Sequence, residues 1–415
     1  MGSSRPPKDT ETGLPFILDE SMTETVASIK TYRGPAFFSY GFRPFFLSAA
    51  LFAGLSVPTW VLLLSGNGGF SFYYPARDWH VHEMLFGFLP AVMSGFLLTA
   101  IPNWTDRPPL RGTLLLVFWG IWLAGRLVIV LPWATSVVTT IVDSTFLIVL
   151  AGIVWREILA ARAWERSPIG VLISLYASAN VLFHILVFRA AETDLPERMA
   201  LGFLTMLLTL IGGRVTPTFT EEFTVARGIP GTSLSFSRVD GFAIGLTAVA
   251  VISWLLQPET NGTGWIMVAA GAANVVRLAR WRGWVTWHEP LVLILHFGYG
   301  WLALSMLVLG TALLGWGLRP TDAVHALTTG SVGTMTLAIM TRATLGHTGR
   351  PRHADSITVV IYLLTNLGAL LRVFGPSTGL PVNVIFSLAA TAWSGAYLLF
   401  AATYARYLLR PGLDE

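Results

Sequence analysis

Twelve runs of about twenty apolar residues dominate this chain, and each is long enough to cross the hydrocarbon core of a bilayer as a helix. They lie near 43–65, 80–102, 112–132, 136–158, 168–190, 197–216, 240–257, 263–280, 287–314, 321–342, 355–374 and 381–408. Turn signals such as Leu131-Pro132-Trp133 and Gln257-Pro258 separate them. Composition agrees: 53% of the 415 residues are hydrophobic and 12% charged, about half the charge that a water-facing domain carries. Mean hydropathy is +0.63. A soluble enzyme, a disordered chain and a nucleic-acid binder are excluded, although the sequence pI is about 9.5. The expected fold is all-α, a polytopic membrane protein of about twelve transmembrane helices, with a polar tail over 1–38 and one membrane domain over 39–410.

The basic residues set the orientation. Lys30, Arg33 and Arg43 begin the series, followed by Arg107 and Arg111, then Arg156, Arg162 and Arg166. Arg214, Arg227 and Arg238, then Arg277, Arg280 and Arg282, then Arg342, Arg350 and Arg352 mark alternate connections, and Arg406 and Arg410 close the chain. The intervening connections carry few basic residues or offset them with acids. Lys and Arg concentrate on the cytoplasmic side, which predicts both termini in the cytoplasm, and an even span count agrees. Trp79, Trp104, Trp133 and Trp287 near span ends read as interfacial belt residues.

Ionisable residues inside spans are costly and usually functional. On the predicted orientation His80, His82, His184 and His325, from three spans, share one depth near the outer face. His296 falls mid-span in the ninth run, and His347 on the cytoplasmic side after the tenth. No cysteine is present, so a metal must rest on His, Met, carboxylate or backbone oxygen; imidazole suits both copper and haem iron. The bland alternative is hydrogen-bonding between helices. Residues two apart on a helix point about 200° apart, so a helical His80 and His82 serve two centres, unless His80 lies on the loop before the helix.

Three further features bear on this end of the bundle. From His325 one face runs through Thr329, Gly333, Thr336 and Met340, and Gly330 and Gly333 leave space for either close helix packing or a flat macrocycle. Arg126 and Asp143 both lie about 10 Å from the short outer turn at 1.5 Å per residue, and an ion pair is the default, with Arg126 facing a propionate or anionic substrate as the alternative. Arg372 and Glu83 have the same two readings, and Glu83 is also a candidate ligand or proton relay. Asn180, one turn before His184, is placed to orient it. Met84, Met206, Met335 and Met340 read as packing.

Several strings resemble the NnrS family. They are Asp78-Trp79-His80-Val81-His82-Glu83-Met84-Leu85-Phe86-Gly87, Gly95-Phe96-Leu97-Leu98-Thr99-Ala100, Pro102-Asn103-Trp104-Thr105 and Arg107-Pro108-Pro109-Leu110-Arg111-Gly112. Gly212-Gly213-Arg214-Val215-Thr216-Pro217, Leu295-His296-Phe297-Gly298-Tyr299 and His325-Ala326-Leu327-Thr328 continue the likeness, with Gly333-Thr334-Met335-Thr336 and the run from Met340 to Gly349. The resemblance covers about 36–405. It implies a twelve-span bacterial inner-membrane protein carrying haem (haem b) and copper, linked to nitric oxide metabolism and nitrosative stress. By position it makes His80, His82, His184, His296, His325 and His347 the candidate metal ligands.

The expected function is binding and reduction of nitric oxide, a lipid-soluble substrate, at a haem/copper site: two NO, two electrons and two protons give nitrous oxide and water. Membrane quinol is the expected electron donor, since no Cys-x-x-Cys-His haem attachment motif exists. Glu83 is the proton-route candidate, and Gly333 and Arg126 join His80, His82, His184 and His325 as cofactor-contacting residues. The alternatives are a non-catalytic haem- or copper-handling protein protecting against nitrosative stress, and a twelve-helix secondary transporter, which twelve spans suit by analogy alone.

Overall fold

A computed structural model describes residues 32–66, 74–105, 107–230 and 235–413. The expected cytoplasmic tail up to residue 31, Lys30 included, and the side chain of Trp104 lie outside the described residues. The chain is 82% helical, with no strand among the described residues.

Twelve long helices follow one another among the described residues. They are α1 (Phe42–Leu64), α2 (Ala76–Pro102), α3 (Thr113–Val130), α4 (Ser136–Ala161), α5 (Ser167–Phe188) and α6 (Asp194–Ala226). Then come α7 (Arg238–Leu256), α8 (Asn261–Arg280), α9 (Pro290–Leu313), α10 (Pro320–His347), α11 (Ser356–Phe374) and α12 (Val382–Leu408). Each overlaps one of the twelve apolar runs. All except α8 are apolar and long enough to cross a membrane. α8 has the length but carries Asn274, Arg277 and Arg280, which lower its hydropathy.

The helices pack with a period of four. α3, α4 and α5 pack in sequence, as do α7, α8 and α9, and α11, α12 and α1, the last through contact of α12 with α1. Each remaining helix, α2, α6 and α10, lies inside: α2 touches α1, α4, α6 and α10, α6 touches α5, α7 and α9, and α10 touches α9, α11 and α12. α2 and α10 are the most buried of the spans.

The same three inner helices are the ones that widen into π turns, at Glu83–Phe88, Leu208–Gly212 and Ala326–Val332. A π turn inserts an extra residue and frees backbone carbonyls, and such turns recur at functional sites. In α2 the turn starts directly after His82, and in α10 directly after His325. Apolar burial cannot hold helices together in lipid as it does in water, so polar contacts and close packing supply the specificity.

Candidate functional site: two histidine sites on one inner helix

α2 and α10 begin at the same end of the bundle, and there His80 and His325 line one cavity of about 480 Å³. Its walls are largely apolar, including Val81, Leu85, Phe88, Leu309 and Trp393. The Trp60 indole stacks on the His80 imidazole, with ring centroids 4.1 Å apart and planes 19° apart. His80 Nδ1 is buried without a hydrogen-bond partner. His325 Nδ1 lies 2.7 Å from the Thr321 carbonyl oxygen. A carbonyl can only accept, so Nδ1 carries the proton and Nε2 keeps its lone pair, the tautomer that a metal needs.

Cations stand at the rim. Arg77, Arg198 and Arg372 all line the cavity, with Asp194, Glu197 and Glu259. Arg372 donates to Asp322 Oδ1 at 2.7 Å and Arg77 to Glu197 Oε2 at 2.9 Å. The Nε atoms of Arg198 and Arg372 are buried without a partner, so donor capacity toward an anion remains. Thr328 and Thr329 also line the cavity. The space beside Gly333 is taken by the Trp393 indole, since a Cβ there would come within 2.6 Å of Cζ3. Gly330 meets Trp301 in the same way.

His82 points the other way, into a sealed polar cluster behind α2. Asp143 (α4) and His184 (α5) complete a group whose ligand-capable atoms all lie within 4.8 Å of one another, every member buried. Two imidazole nitrogens converge on one oxygen: Asp143 Oδ2 is 3.2 Å from His82 Nε2 and 2.9 Å from His184 Nε2. His82 meets acceptors at both nitrogens, Glu83 Oε1 at 3.0 Å from Nδ1 and Asn180 Oδ1 at 3.1 Å from Nε2. His184 Nδ1 hydrogen-bonds the hydroxyl of Tyr74, on the connection before α2. Burial, with Asp143 and Glu83 nearby, pushes the Tyr74 phenol above its ordinary range. It therefore stays protonated and can donate or accept.

Arg126 (α3) binds this cluster from the far side. It donates to Glu83 Oε2 at 2.8 Å and to Asp143 Oδ1. The expected Arg126–Asp143 pair is present, and Glu83, for which two readings stood open, is the second acid on the same guanidinium. Gly87, one turn beyond Glu83, lets Arg126 through, since a Cβ there would meet Nη1. Asn180 reaches His82 and donates to Asp143 Oδ2 at 3.0 Å; no bond to His184 is found among the described residues, in place of the expected orienting contact.

The remaining histidines lie elsewhere. His296 Nε2 shares a 2.8 Å hydrogen bond with the Thr220 hydroxyl of α6, and its Nδ1 is buried without a partner. His347, at the end of α10, stacks on Tyr40 at 5.8 Å. Neither joins a His, Cys, Asp or Glu group of metal-binding size among the described residues. Trp133 and Trp287 are exposed as belt residues should be, whereas Trp79 is buried.

Sequence reasoning missed Tyr74, Trp60 and Arg198, and misread Arg277. That residue sits not on a cytoplasmic connection but buried in the bundle, 2.9 Å from Asp240 Oδ1. It donates to Tyr299 Oη at 2.8 Å and to the Thr209 carbonyl, on the π turn of α6, at 2.9 Å. Asn274, one turn before Arg277 on the same face, was the available signal.

The fold and sites define a polytopic helical membrane protein whose innermost helices carry two separate imidazole sites, one half-buried and opening on a cavity and one sealed with a carboxylate. The chain matches the family described as NnrS protein over residues 36–411 and belongs to the NnrS family. Comparison with curated proteins and with solved structures gave no match.

Proposed function

We propose that this chain is a haem- and copper-containing protein of the bacterial inner membrane that binds and reduces nitric oxide. Family membership links it to nitric-oxide-related function. The observation that carries the reading is the pair of imidazoles, from two different inner helices, facing one apolar cavity with arginines at its rim. A cavity of about 480 Å³ falls within the range of small-molecule and cofactor sites.

The residues present fit a haem. His325 offers an Nε2 lone pair, fixed by the Thr321 carbonyl, and His80 has a buried, partnerless ring nitrogen and is held flat by Trp60. Arg77, Arg198 and Arg372 suit carboxylates, which bind guanidinium through paired hydrogen bonds. The donor set of His82, His184 and Asp143 suits copper. When bound, the two metals supply one-electron redox centres and an iron able to take up nitric oxide.

The chain's own residues do the rest. His80 and His325 position a flat ligand between α2 and α10, and the apolar walls exclude water while admitting a lipid-soluble substrate. Glu83, buried between His82 Nδ1 and Arg126 and outside the cavity lining, holds the His82 ring and the guanidinium in place. Two NO, two electrons and two protons yield nitrous oxide and water, with membrane quinol as donor. Both termini face the cytoplasm, and the cavity opens near the outer face.

The test is the visible spectrum of the detergent-purified chain, oxidised and dithionite-reduced, before and after nitric oxide, with iron and copper counted per chain. A haem spectrum that shifts with nitric oxide, near-integral metals and quinol-dependent loss of nitric oxide are expected. Haem and nitric oxide binding without turnover would turn the reading into metal handling, and a colourless, metal-free protein would overturn it in favour of transport.

A further inference from the structure

We propose that a ladder of buried hydroxyl groups between α10, α11 and α12 carries protons to the cavity from the opposite end of the bundle, with Thr365 as its last step. The assignment rests on the nitric oxide reading above, which consumes two protons per turnover at the cavity and puts that opposite end in the cytoplasm. Glu83, the candidate from the sequence, does not line the cavity. Asp194 and Glu197 do, but both are already paired with Arg77 at the rim.

The ladder has three rungs of one kind, each a tyrosine phenol on one helix against a threonine hydroxyl on another. Tyr404 (α12) lies 2.7 Å from Thr358 (α11), Tyr362 (α11) 2.6 Å from Thr341 (α10), and Tyr397 (α12) 2.7 Å from Thr336 (α10). All six residues are buried. The end away from the cavity reaches the surface: the Thr358 hydroxyl donates at 2.7 Å to Oδ1 of Asp355, the exposed residue that caps α11. Along α11, Thr358, Tyr362, Thr365 and Gly368 keep one face at steps of three and four residues. Gly368, Arg372 and Trp393 line the cavity, and Trp393 is one turn before Tyr397 on α12. Thr358 to Gly368 spans about 15 Å, and residues one turn apart on α11 are separated by about 5 Å, a gap that one water bridges.

Hydroxyl pairs between helices often serve as glue, and Thr365 separates the two readings. Each threonine of the rungs finds an acceptor, as glue requires: Thr341 donates to the Leu337 carbonyl at 2.8 Å, Thr336 to the Gly333 carbonyl at 3.1 Å, and Thr358 to Asp355. Thr365 Oγ1 is fully buried and has no hydrogen-bond partner, not even the carbonyl one turn back that its helix offers. It lies against α10 at Gly333, where a Cβ would stand 3.4 Å from Oγ1 and 2.6 Å from Cζ3 of the Trp393 indole, a wall of the cavity. An unpaired buried hydroxyl costs about 1–3 kcal/mol. Glue gains nothing from that cost, whereas a relay needs a hydroxyl free to take a proton and release one. Each oxygen in the series accepts a proton from the side of Asp355 and passes its own toward Gly368, so no hydroxyl ends ionised. Two passages supply the two protons of one turnover.

The experiment uses the full-length, haem-loaded chain in vesicles of phosphatidylethanolamine and phosphatidylglycerol, with the orientation of the termini measured by protease protection. Quinol-driven loss of nitric oxide is followed with an electrode, and proton uptake with a pH dye on each side of the membrane. The wild type is expected to take its protons from the side that holds the C-terminus. Thr365→Val removes a hydroxyl that bonds nothing and keeps the side-chain shape, so glue predicts unchanged turnover. The relay predicts turnover lowered at least about 10-fold with a larger solvent deuterium isotope effect, short of the roughly 10²–10⁴-fold loss of a direct proton donor because water can bypass one step. Thr365→Ser keeps the hydroxyl and restores both. Haem absorbance and its shift with nitric oxide stay at the wild-type level throughout. Tyr362→Phe and Tyr397→Phe repeat the measurement at the neighbouring rungs and decide the matter if Thr365→Val does not fold.

Wild-type turnover in folded Thr365→Val or in both tyrosine variants, or proton uptake from the side of the cavity mouth, would overturn the relay and leave the nitric oxide reading in place. A wild-type chain that holds no haem, or turns over no nitric oxide, would remove that reading and the relay with it.

Discussion

His80 and His82 are two residues apart on α2 and belong to different sites: His80 stacks on Trp60 at the cavity, whereas His82 lies 3.2 Å from Asp143 in the sealed cluster. A helix turns about 100° per residue, so a His-x-His pair on one inner helix serves two environments at once. His80→Ala and His325→Ala are therefore expected to abolish or shift the reduced haem spectrum while leaving copper at its wild-type level. Haem quantitation and metal analysis on the same preparations check this. Loss of both metals in either variant would show the sites to be one.

Arg126 bridges two buried acids, Glu83 and Asp143. Removing one partner of a buried ion pair costs about 3–5 kcal/mol because a charge is stranded. Arg126→Met is thus expected to lower unfolding free energy in detergent by that amount, and Arg126→Met with Asp143→Asn by less. The order of the two variants is the decisive readout. A double variant less stable than the single one would mean that Asp143 is held by its histidines rather than by Arg126.

Much of this was legible in the sequence, and the reasons are particular. Span length and apolar content locate all twelve helices, because the bilayer fixes both. The matched depth of Arg126 and Asp143 gave their pairing, because rise per residue converts position into depth. What depth cannot give is the rotation of each helix, so four histidines at one level did not reveal that His80 belongs with His325 and His82 with His184. Nor does the hydropathy pattern signal the π turns after His82 and His325, which change that rotation midway along the helix. Tyr74 lies on a connection with no periodicity to read. Arg277 was miscounted as a loop cation because only three-dimensional packing brings Asp240 beneath it.

Gly333 packs directly against Trp393, an indole that also forms a cavity wall. A Cβ at this position would come within 2.6 Å of the ring, and overpacking a close contact costs about 1–3 kcal/mol. Gly333→Ala is expected to destabilise the chain by that amount and, through Trp393, to perturb the haem absorbance. Combining it with Trp393→Leu relieves the clash and recovers stability. Thermal unfolding of the single and double variants measures the coupling, and strictly additive losses would refute direct contact as the cause.

Arg277 repairs the backbone of α6 where its helix widens. The π turn over Leu208–Gly212 leaves carbonyls out of register with the helical ladder, and the guanidinium donates to the Thr209 oxygen at 2.9 Å and the Gly213 oxygen at 3.3 Å. Asp240, at 2.9 Å, balances the charge, and Asn274 and Tyr299 complete the cluster through a 2.6 Å hydrogen bond. Arg277→Met leaves Asp240 paired with Arg280 at 3.0 Å but uncovers both carbonyls, with an expected cost of about 1–3 kcal/mol. Arg277→Lys keeps the charge but replaces a planar five-donor fork with a point charge, so it is expected to restore the ion pair and not the carbonyl contacts. Amide exchange separates the two effects. Both variants should exchange faster over 205–216 than the wild type while α10 stays protected, since a local opening leaves distant elements intact. Uniformly faster exchange across all helices in Arg277→Lys would mean that the arginine supports the whole bundle rather than the turn in α6.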